Sequence, residues 1–381
     1  MKKLIYLFLT LLILACSNDD SSDNGNNDSG GGNEQSLCEE IGLIYLDTNG
    51  VTIKACEDAI LGDTGVVNGI TYTVVDEAML REMFANGEDL TKVVTTKVTN
   101  MFELFFIDLG TSTDFNQDIS SWDVSNVTDM SFMFYYATAF NQDISSWDVS
   151  NVTYMSGMFY GATAFIQPIV NWDVSSVIHM IVMFREATAF NQPIGDWDVS
   201  NVTVMIGMFR EATAFNQPIG DWDVSSVSLM SGMFYGATAF NQPIGNWDVS
   251  SVSLMSGMFY NATSFNQPIG NWDVSNVTHM SDMFGGDETQ IVSFNQPIGN
   301  WDVSSVTDMA YMFSNATAFN QDISSWDVSG VYEMTGMFND ATSFNQDISS
   351  WSVDNVTFCS IFSDNAPLTE ENTPNFTNCT P

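Results

Sequence analysis

Phe240 to Ser264 reads F-N-Q-P-I-G-N-W-D-V-S-S-V-S-L-M-S-G-M-F-Y-N-A-T-S, and this 25-residue unit decides the fold. Trp247 and Val249, with Ile244 before them, fall on one side of an extended stretch, because residues two apart in a strand face the same way. The first half of the unit is therefore predicted to be a short strand.

The second half of the unit has helical spacing. Met255, Met258, Phe259 and Ala262 follow the i, i+3, i+4, i+7 pattern, which predicts about two turns of helix with Ser253 as the N-cap. Asn, Gln, Pro and Gly then mark a loop. Each unit is thus a strand, a helix and a loop whose apolar residues need a neighbouring unit to be buried.

The unit repeats with a fixed period along most of the chain. All ten tryptophans occupy one position of it, at intervals of 25 residues except for one interval of 29, which contains Gly285 to Val292. A constant period in the twenties is typical of a solenoid of stacked coils. We therefore predict an α/β solenoid of about ten strand–helix coils with capped ends, marked by Trp122, Trp147, Trp172, Trp197, Trp222, Trp247, Trp272, Trp301, Trp326 and Trp351.

The composition excludes several functions. Asp and Glu number 47 against 8 Lys and Arg, for a net charge of -39, and such a surface repels nucleic acids. With 45% apolar residues the chain has enough material for a packed core.

The N-terminus has the pattern of an export signal, assigned to residues 1–15. Lys2 and Lys3 precede an apolar run from Leu4 to Leu14, which is too short to span a membrane. The run ends at Ala15-Cys16, and this junction resembles a bacterial lipobox, in which Cys16 would carry the lipid. Ordinary cleavage with an incidental Cys16 is the alternative. Residues 16–37 are polar and acidic and are predicted to be a flexible tether.

The strand part of the unit resembles the L-x-x-L-x-L skeleton of leucine-rich repeats. As a whole, F-N-Q-P-I-x-x-W-D-V-S-x-V-x-x-M-S-x-M-F resembles the BspA-like surface-protein family, whose repeats also occur in mycoplasma lipoproteins. The resemblance covers residues 115–362 and implies a leucine-rich-repeat-like solenoid on the cell surface. Members of that family are linked to attachment to host proteins and to other cells.

Both ends of an open solenoid need caps. Residues 38–114 are predicted to be an N-terminal cap with a degenerate first repeat, including a hairpin at Asn49-Gly50 and a helix over Asp76 to Ala85. Residues 363–381 form the predicted C-terminal cap. Four cysteines lie near the ends of the solenoid, and we predict the disulfides Cys38–Cys56 and Cys359–Cys379, with a metal site as the alternative.

Nine of the tryptophans are followed by aspartate, and these carboxylates are predicted to point outward from the strand. Their mutual repulsion needs a compensation. One interpretation is hydrogen bonding to neighbouring Ser and Thr hydroxyls or amides in Asx-type turns. The other is a strip that binds calcium or a basic partner. The acidic column comprises Asp123, Asp148, Asp173, Asp198, Asp223, Asp248, Asp273, Asp302 and Asp327.

Recognition is expected where the repeat varies. Seven residues after each Trp, the middle coils have apolar side chains, and six residues further along Tyr and Arg predominate, as they do in protein interfaces. Ordinary repeat drift is the alternative, with the Arg residues pairing with Glu across adjacent coils. The candidate binding residues are Tyr135, Tyr160, Arg185, Arg210, Val204, Leu229, Leu254, Tyr235 and Tyr260.

No catalytic constellation is present in the sequence, and His179 and His279 are four coils apart, so we do not predict an enzyme. The leading hypothesis is a monomeric adhesion lipoprotein, anchored to the bacterial outer membrane at the cell surface, that binds an extracellular protein or glycan. The alternative is a structural or cation-dependent scaffold that uses the acidic column. Calcium is the one cofactor considered, and no nucleic-acid partner is expected.

Overall fold

The computed structural model describes residues 42–108 and 111–381, which belong to one compact unit, Leu37–Pro381. The predicted signal peptide, the predicted lipidation site Cys16, the whole predicted tether and Cys38 lie outside the described residues. Cys56 is disulfide-bonded.

Five short strands begin this unit. The first two pair antiparallel around a turn in which the Asn49 side chain accepts the N–H groups of Val51 and Thr52, and Gly50 has a φ of 75°, so the predicted hairpin is confirmed. The third and fourth form a second hairpin, and the fifth pairs parallel to the fourth. The strands are β1 Ile44–Leu46, β2 Ile53–Ala55, β3 Thr64–Val67, β4 Ile70–Val74 and β5 Val93–Val94.

Helix α1, Glu77–Ala85, confirms the helix predicted over Asp76 to Ala85. Asp76 is the N-cap, and its carboxylate accepts the Met79 N–H at 2.9 Å. Leu80 is buried against the core, and a 3-10 turn, Leu90–Lys92, follows before β5. The helix therefore covers the front of the repeat region.

The repeats differ from the predicted strand–helix coil. Single parallel β-bridges link successive coils from Asn100 to Phe358. From Asp129 onward each bridging residue lies seven residues after a Trp, beyond the I-x-x-W-x-V segment where the strand was predicted. Within the described residues 115–362 there is no α-helix; consecutive turns occupy the segment predicted to be helical. The helix prediction for the repeat was wrong.

Main-chain hydrogen bonds between coils explain why turns replace the helix. In one coil the N–H groups of Met255, Gly257, Phe259 and Asn261 all donate to carbonyls of the following coil, at 2.7 to 3.0 Å. An α-helix would need those N–H groups for its own i→i−4 bonds. Gly257 and Asn261 have φ of 61° and 55°, in the left-handed region, which directs alternate amides the same way.

The core consists of columns of identical side chains. Neighbouring indoles such as Trp247 and Trp272 lie parallel, within 2° and with centroids 6.5 Å apart. Each indole is nearly fully buried, and its Nε1–H donates to a carbonyl of the preceding coil, as from Trp272 to Ile244 at 3.1 Å. Two phenylalanine columns lie beside it, with Phe259 and Phe265 stacked at 3.9 Å. We propose a solenoid architecture in which turns replace the predicted helix.

The last core layer is covered by the tail. Cys359 and Cys379 form the predicted disulfide, and Cys359 occupies the position that Met334 has in the preceding coil. Phe376 packs edge-on against Phe362, with ring centroids 4.9 Å apart. The tail therefore contacts the inner side of the final coil.

Candidate binding surface

The residues that form the parallel bridges make one outward-facing column, here called the bridge column. Its side chains shield one another unevenly: Tyr154 is 36% exposed, whereas Val204, between His179 and Leu229, is only 7% exposed. The apolar middle is therefore a half-covered strip. The bridge column comprises Asp129, Tyr154, His179, Val204, Leu229, Leu254, His279, Asp308, Glu333 and Phe358.

A second column, the tyrosine–arginine column, lies six residues further along each coil. Tyr135 and Tyr160 pack edge to face at 5.0 Å, and Tyr235 and Tyr260 stack at 4.6 Å. The guanidinium groups between these pairs cover the rings, at 4.8 Å from the Tyr160 centroid and 3.9 Å from the Tyr235 centroid. The column comprises Tyr135, Tyr160, Arg185, Arg210, Tyr235 and Tyr260.

Each arginine of this column is oriented by the glutamate that follows it. Arg185 Nε donates to Glu186 at 3.2 Å and Arg210 Nε donates to Glu211 at 3.4 Å, so each arginine pairs within its own coil and not across adjacent coils, as the repeat-drift alternative had it. The other Glu186 oxygen accepts the Tyr136 hydroxyl, two coils away, at 2.8 Å. Burial, followed by that hydrogen bond, raises the pKa of Tyr136 to about 12.

Glu186, Glu211 and Tyr136 were not among the predicted binding residues, although they are part of this surface. They occupy a single position of the repeat, fourteen residues after a Trp, directly next to the tyrosine–arginine column. Because this position directly follows the predicted column in the sequence, these three residues could have been predicted from the repeat alone.

Glycines recur at one repeat position in the stretch of chain between the two columns. Gly232 and Gly257 stand ten residues after their Trp with positive φ, and a Cβ added at either would point toward the tyrosines of the tyrosine–arginine column. Phe132 and Val182 hold the same position in other coils with φ of 56° and 49°. Gly232 and Gly257 are themselves buried, so the side chains around them cover the backbone at this position.

One carboxylate takes the place of such a glycine. Asp282 has a φ of 58°, and burial, with the charge of Asp308 as the second cause, raises its pKa to about 6. Its charge also contributes to raising the pKa of Tyr260, for which burial is the larger cause. A partly buried carboxylate therefore adjoins the tyrosine–arginine column.

Replacing Asp282 with Gly should stabilise the protein at neutral pH. A raised folded-state pKa means that the folded protein favours the protonated carboxyl. The free energy of unfolding therefore falls as pH rises from about 4 to about 6, where the carboxyl ionises in its partly buried position. The shift corresponds to about 3 kcal/mol, reduced to about 2 kcal/mol because the side chain is partly solvated. Chemical denaturation of both proteins at pH 4 and pH 7 measures the difference.

The matched control for Asp282→Gly is Asp287→Asn. Hydrogen bonds from Thr289, followed by that from Asn261, lower the pKa of Asp287, so its contribution to stability is present at neutral pH and lost on acidification. Equal responses of the two variants to pH would contradict the assignment.

The acidic column lies in turns and not on a strand. In eight of the nine cases the Asp Oδ1 accepts both the N–H and the hydroxyl of the serine two residues later, as at Asp248 with Ser250 at 3.0 and 2.6 Å. At Asp327 the Ser329 amide donates at 3.0 Å. These bonds lower the pKa of Asp248. The Asx-type turn considered from the sequence is the observed arrangement; Asp123, the first member, is 2% exposed and also accepts from Thr96.

An asparagine ladder runs along the loops and is interrupted once. Asn216 Oδ1 accepts both the Asn241 N–H and the Gln242 side-chain amide, at 3.0 and 2.9 Å. Ile166 breaks the series, and within the described residues the N–H of Asn191 has no hydrogen-bond partner. Ile166 is itself 46% exposed.

Ile166→Asn should therefore stabilise the protein by about 1 kcal/mol, because it supplies an acceptor for two donors. The measurement is the free energy of unfolding by denaturant. The matched control is Asn216→Ile, which removes the same acceptor elsewhere and should cost about as much. A loss of stability in the first variant would show that the ladder contributes nothing at this position.

Other site chemistry is limited in the described part of the chain. Within residues 42–108 and 111–381, no group of three or more His, Cys, Asp or Glu side chains is placed to hold a metal ion. Burial lowers the pKa of His179, whose ring lies 5.5 Å from that of Tyr154. No described helix has both the length and the apolar character needed to span a membrane.

Comparison with known proteins gives one match. The model of a family described as "Mycoplasma protein of unknown function, DUF285" matches residues 77–197, 179–291 and 289–376. No curated protein and no solved structure matches the chain. The three matched stretches together cover α1, all the repeats and most of the C-terminal tail.

Proposed function

The chain belongs to the DUF285 family of repeat proteins, and from that premise we propose that it is a surface-anchored adhesion lipoprotein that binds an extracellular protein or glycan along one side of its repeats. The lipobox-like sequence at Cys16 and the polar stretch after it support the anchor. The lipid would hold the protein at the outer membrane.

The observation that carries the binding proposal is the pair of adjacent columns in the middle coils. Arg185 and Arg210 are the only Lys or Arg residues after Lys97, and they occur in successive coils. Each is held by a ring face and by a glutamate. Rigid Tyr and Arg side chains beside apolar residues lose little entropy on binding and are typical of energetic hot spots.

Variants along the two columns test this proposal on intact cells that display the full chain. Arg185→Gln with Arg210→Gln should reduce capture of the matrix-protein or glycan ligand at least tenfold, and Leu229→Ser with Leu254→Ser should do the same. The ligand is first selected on an array of matrix proteins and glycans. Unchanged capture by both double variants would contradict binding through these columns.

The matched control is Ser226→Glu with Ser251→Glu. These two serines are exposed, lie four residues after their Trp, and the substitutions change the net charge by the same amount as the double Arg variant. The control should retain capture.

Protease treatment of the intact cells tests the location, because survival of the protein until the envelope is opened would contradict surface exposure.

A further inference from the structure

The last coil of the repeat region has an open hydrogen-bonding edge, here called the terminal edge, residues 357–365. In every earlier coil four alternate N–H groups donate to the next coil, as from Met334 to Phe358 at 2.8 Å and from Gly336 to Ser360 at 3.0 Å. At the terminal edge the corresponding N–H groups of Cys359 and Ile361 have no acceptor among the described residues; Cys359 is buried, whereas Ile361 is exposed and its N–H belongs to the open part of the edge. In the same described part of the chain, the Thr357 carbonyl has no donor.

At the opposite end of the repeat region, charged side chains cap the free main-chain groups: a cation meets a carbonyl, and a carboxylate meets an N–H. Arg81, on α1, donates to the Phe102 carbonyl at 2.6 Å, and Glu77 accepts the Thr99 N–H at 2.7 Å. Because the four N–H columns all point from coil to next coil, the carbonyl end is negative and the amide end is positive, as in a helix dipole. The terminal edge is therefore the end at which N–H donors are left unpaired.

Large apolar side chains are exposed at the same edge. Phe358 is 56% exposed, Ile361 is 38% exposed, and Tyr332 in the preceding coil is 44% exposed. The tail does not cover them, because its contacts through Cys379 and Phe376 are with Cys359 and Phe362 on the inner side. An unpaired edge with apolar side chains is a template for pairing with another chain.

The charge around the terminal edge selects the kind of partner. The chain contains no Lys or Arg after Arg210, whereas Asp340, Asp354, Asp364, Glu370 and Glu371 all lie in the last two coils and the tail. A basic segment is attracted to this region and an acidic one is repelled.

We propose that the terminal edge binds an extended, basic polypeptide segment by adding it as a parallel strand. The segment's residue opposite Phe358 donates its N–H to the Thr357 carbonyl, as Phe358 does to the Tyr332 carbonyl within the repeats. The carbonyl two residues later accepts the Ile361 N–H. Apolar side chains of the segment cover Phe358 and Ile361.

Synthetic seven-residue peptides test this edge on the purified full chain by fluorescence anisotropy. The probe alternates Lys and Val. One comparison peptide replaces Lys with Glu, and another is N-methylated at its three central residues, which removes the pairing amides and keeps the charge. We expect binding of the first peptide only, with a dissociation constant that rises with salt. Equal binding of the N-methylated peptide, or no binding of the basic peptide, would overturn the proposal.

A pair of lysine variants locates the peptide. Phe358→Lys should weaken binding of the basic peptide at least tenfold, whereas Tyr154→Lys, an exposed aromatic in the same bridge column far from the edge, should leave it within twofold. Hydrogen exchange gives an independent readout on the unmodified protein, since the Ile361 N–H should be protected only when the peptide is present. Equal effects of the two variants, or no added protection, would refute the assignment.

Discussion

Trp272→Ala should destabilise the protein by about 4 kcal/mol, in the range for removing a buried aromatic side chain. Trp272 is 3% exposed, and its ring lies parallel to Trp247 and Trp301 on either side, with centroids 6.5 Å apart in both pairs. The variant also leaves the Ile244 carbonyl without the indole N–H that it accepts at 3.1 Å. The free energy of unfolding by denaturant gives the measurement.

The control for this variant is its neighbour, Asn271→Ala. Asn271 is exposed, and this substitution should change stability by less than about 0.5 kcal/mol. In a linear repeat array each coil contacts only its neighbours, so the tryptophan variant can also split one unfolding transition into two. A loss below about 1 kcal/mol for Trp272→Ala would show that the indole column is not the main source of cohesion.

Removal of the Cys359–Cys379 disulfide should cost about 3 kcal/mol, from the chain entropy of the 20-residue separation that it closes. The best variant is Cys359→Met with Cys379→Ala, because Met334 occupies the equivalent position one coil earlier and so the core packing is retained. The measurement is thermal and denaturant unfolding of the variant beside the oxidised protein.

Reduction of the unmodified protein is the companion experiment for the disulfide. After reduction, which also breaks the Cys56 disulfide, the unmodified protein and the double variant should be equally stable, because Cys359 is 1% exposed and its thiol stays in an apolar core. The loss that comes from the Cys359–Cys379 disulfide, measured in the oxidised double variant, should concentrate in the final coils as faster hydrogen exchange. Uniform destabilisation of all coils, or none, would contradict the role of the disulfide in holding the tail over the last layer.

The sequence predicted the period and the composition of the core, because a 25-residue repeat of Trp, Met and Phe leaves little freedom in which side chains are buried. It did not predict the local conformation. The spacing of Met255, Met258 and Phe259 fits a helix and equally fits turns with alternate left-handed residues, since both place these side chains on one side. The recurrent glycine ten residues after Trp, as at Gly257, was the signal for turns.

The candidate surface was only partly predictable for a related reason. The position of Arg210 in the repeat placed it in an outward column, but its contact with the Tyr235 ring and with Glu211 depends on side-chain geometry between and within coils. Likewise, the acidic column was assigned to a strand, and the Asx-type turn that satisfies Asp248 became one of two alternatives. The hydrogen bonds of the structure show the Asx-type turn, which depends on a serine two residues after each aspartate.

The central claim is that successive repeats stack in register at a constant step, and spin-label distances test it most directly. Labels on cysteines introduced at the exposed positions Ser176, Ser251 and Ser305 mark the same point of three coils. With about 4.8 Å per coil, the Ser176–Ser251 separation should be about 14 Å and the Ser176–Ser305 separation about 24 Å. Separations that do not grow with the number of coils between the labels would contradict the account.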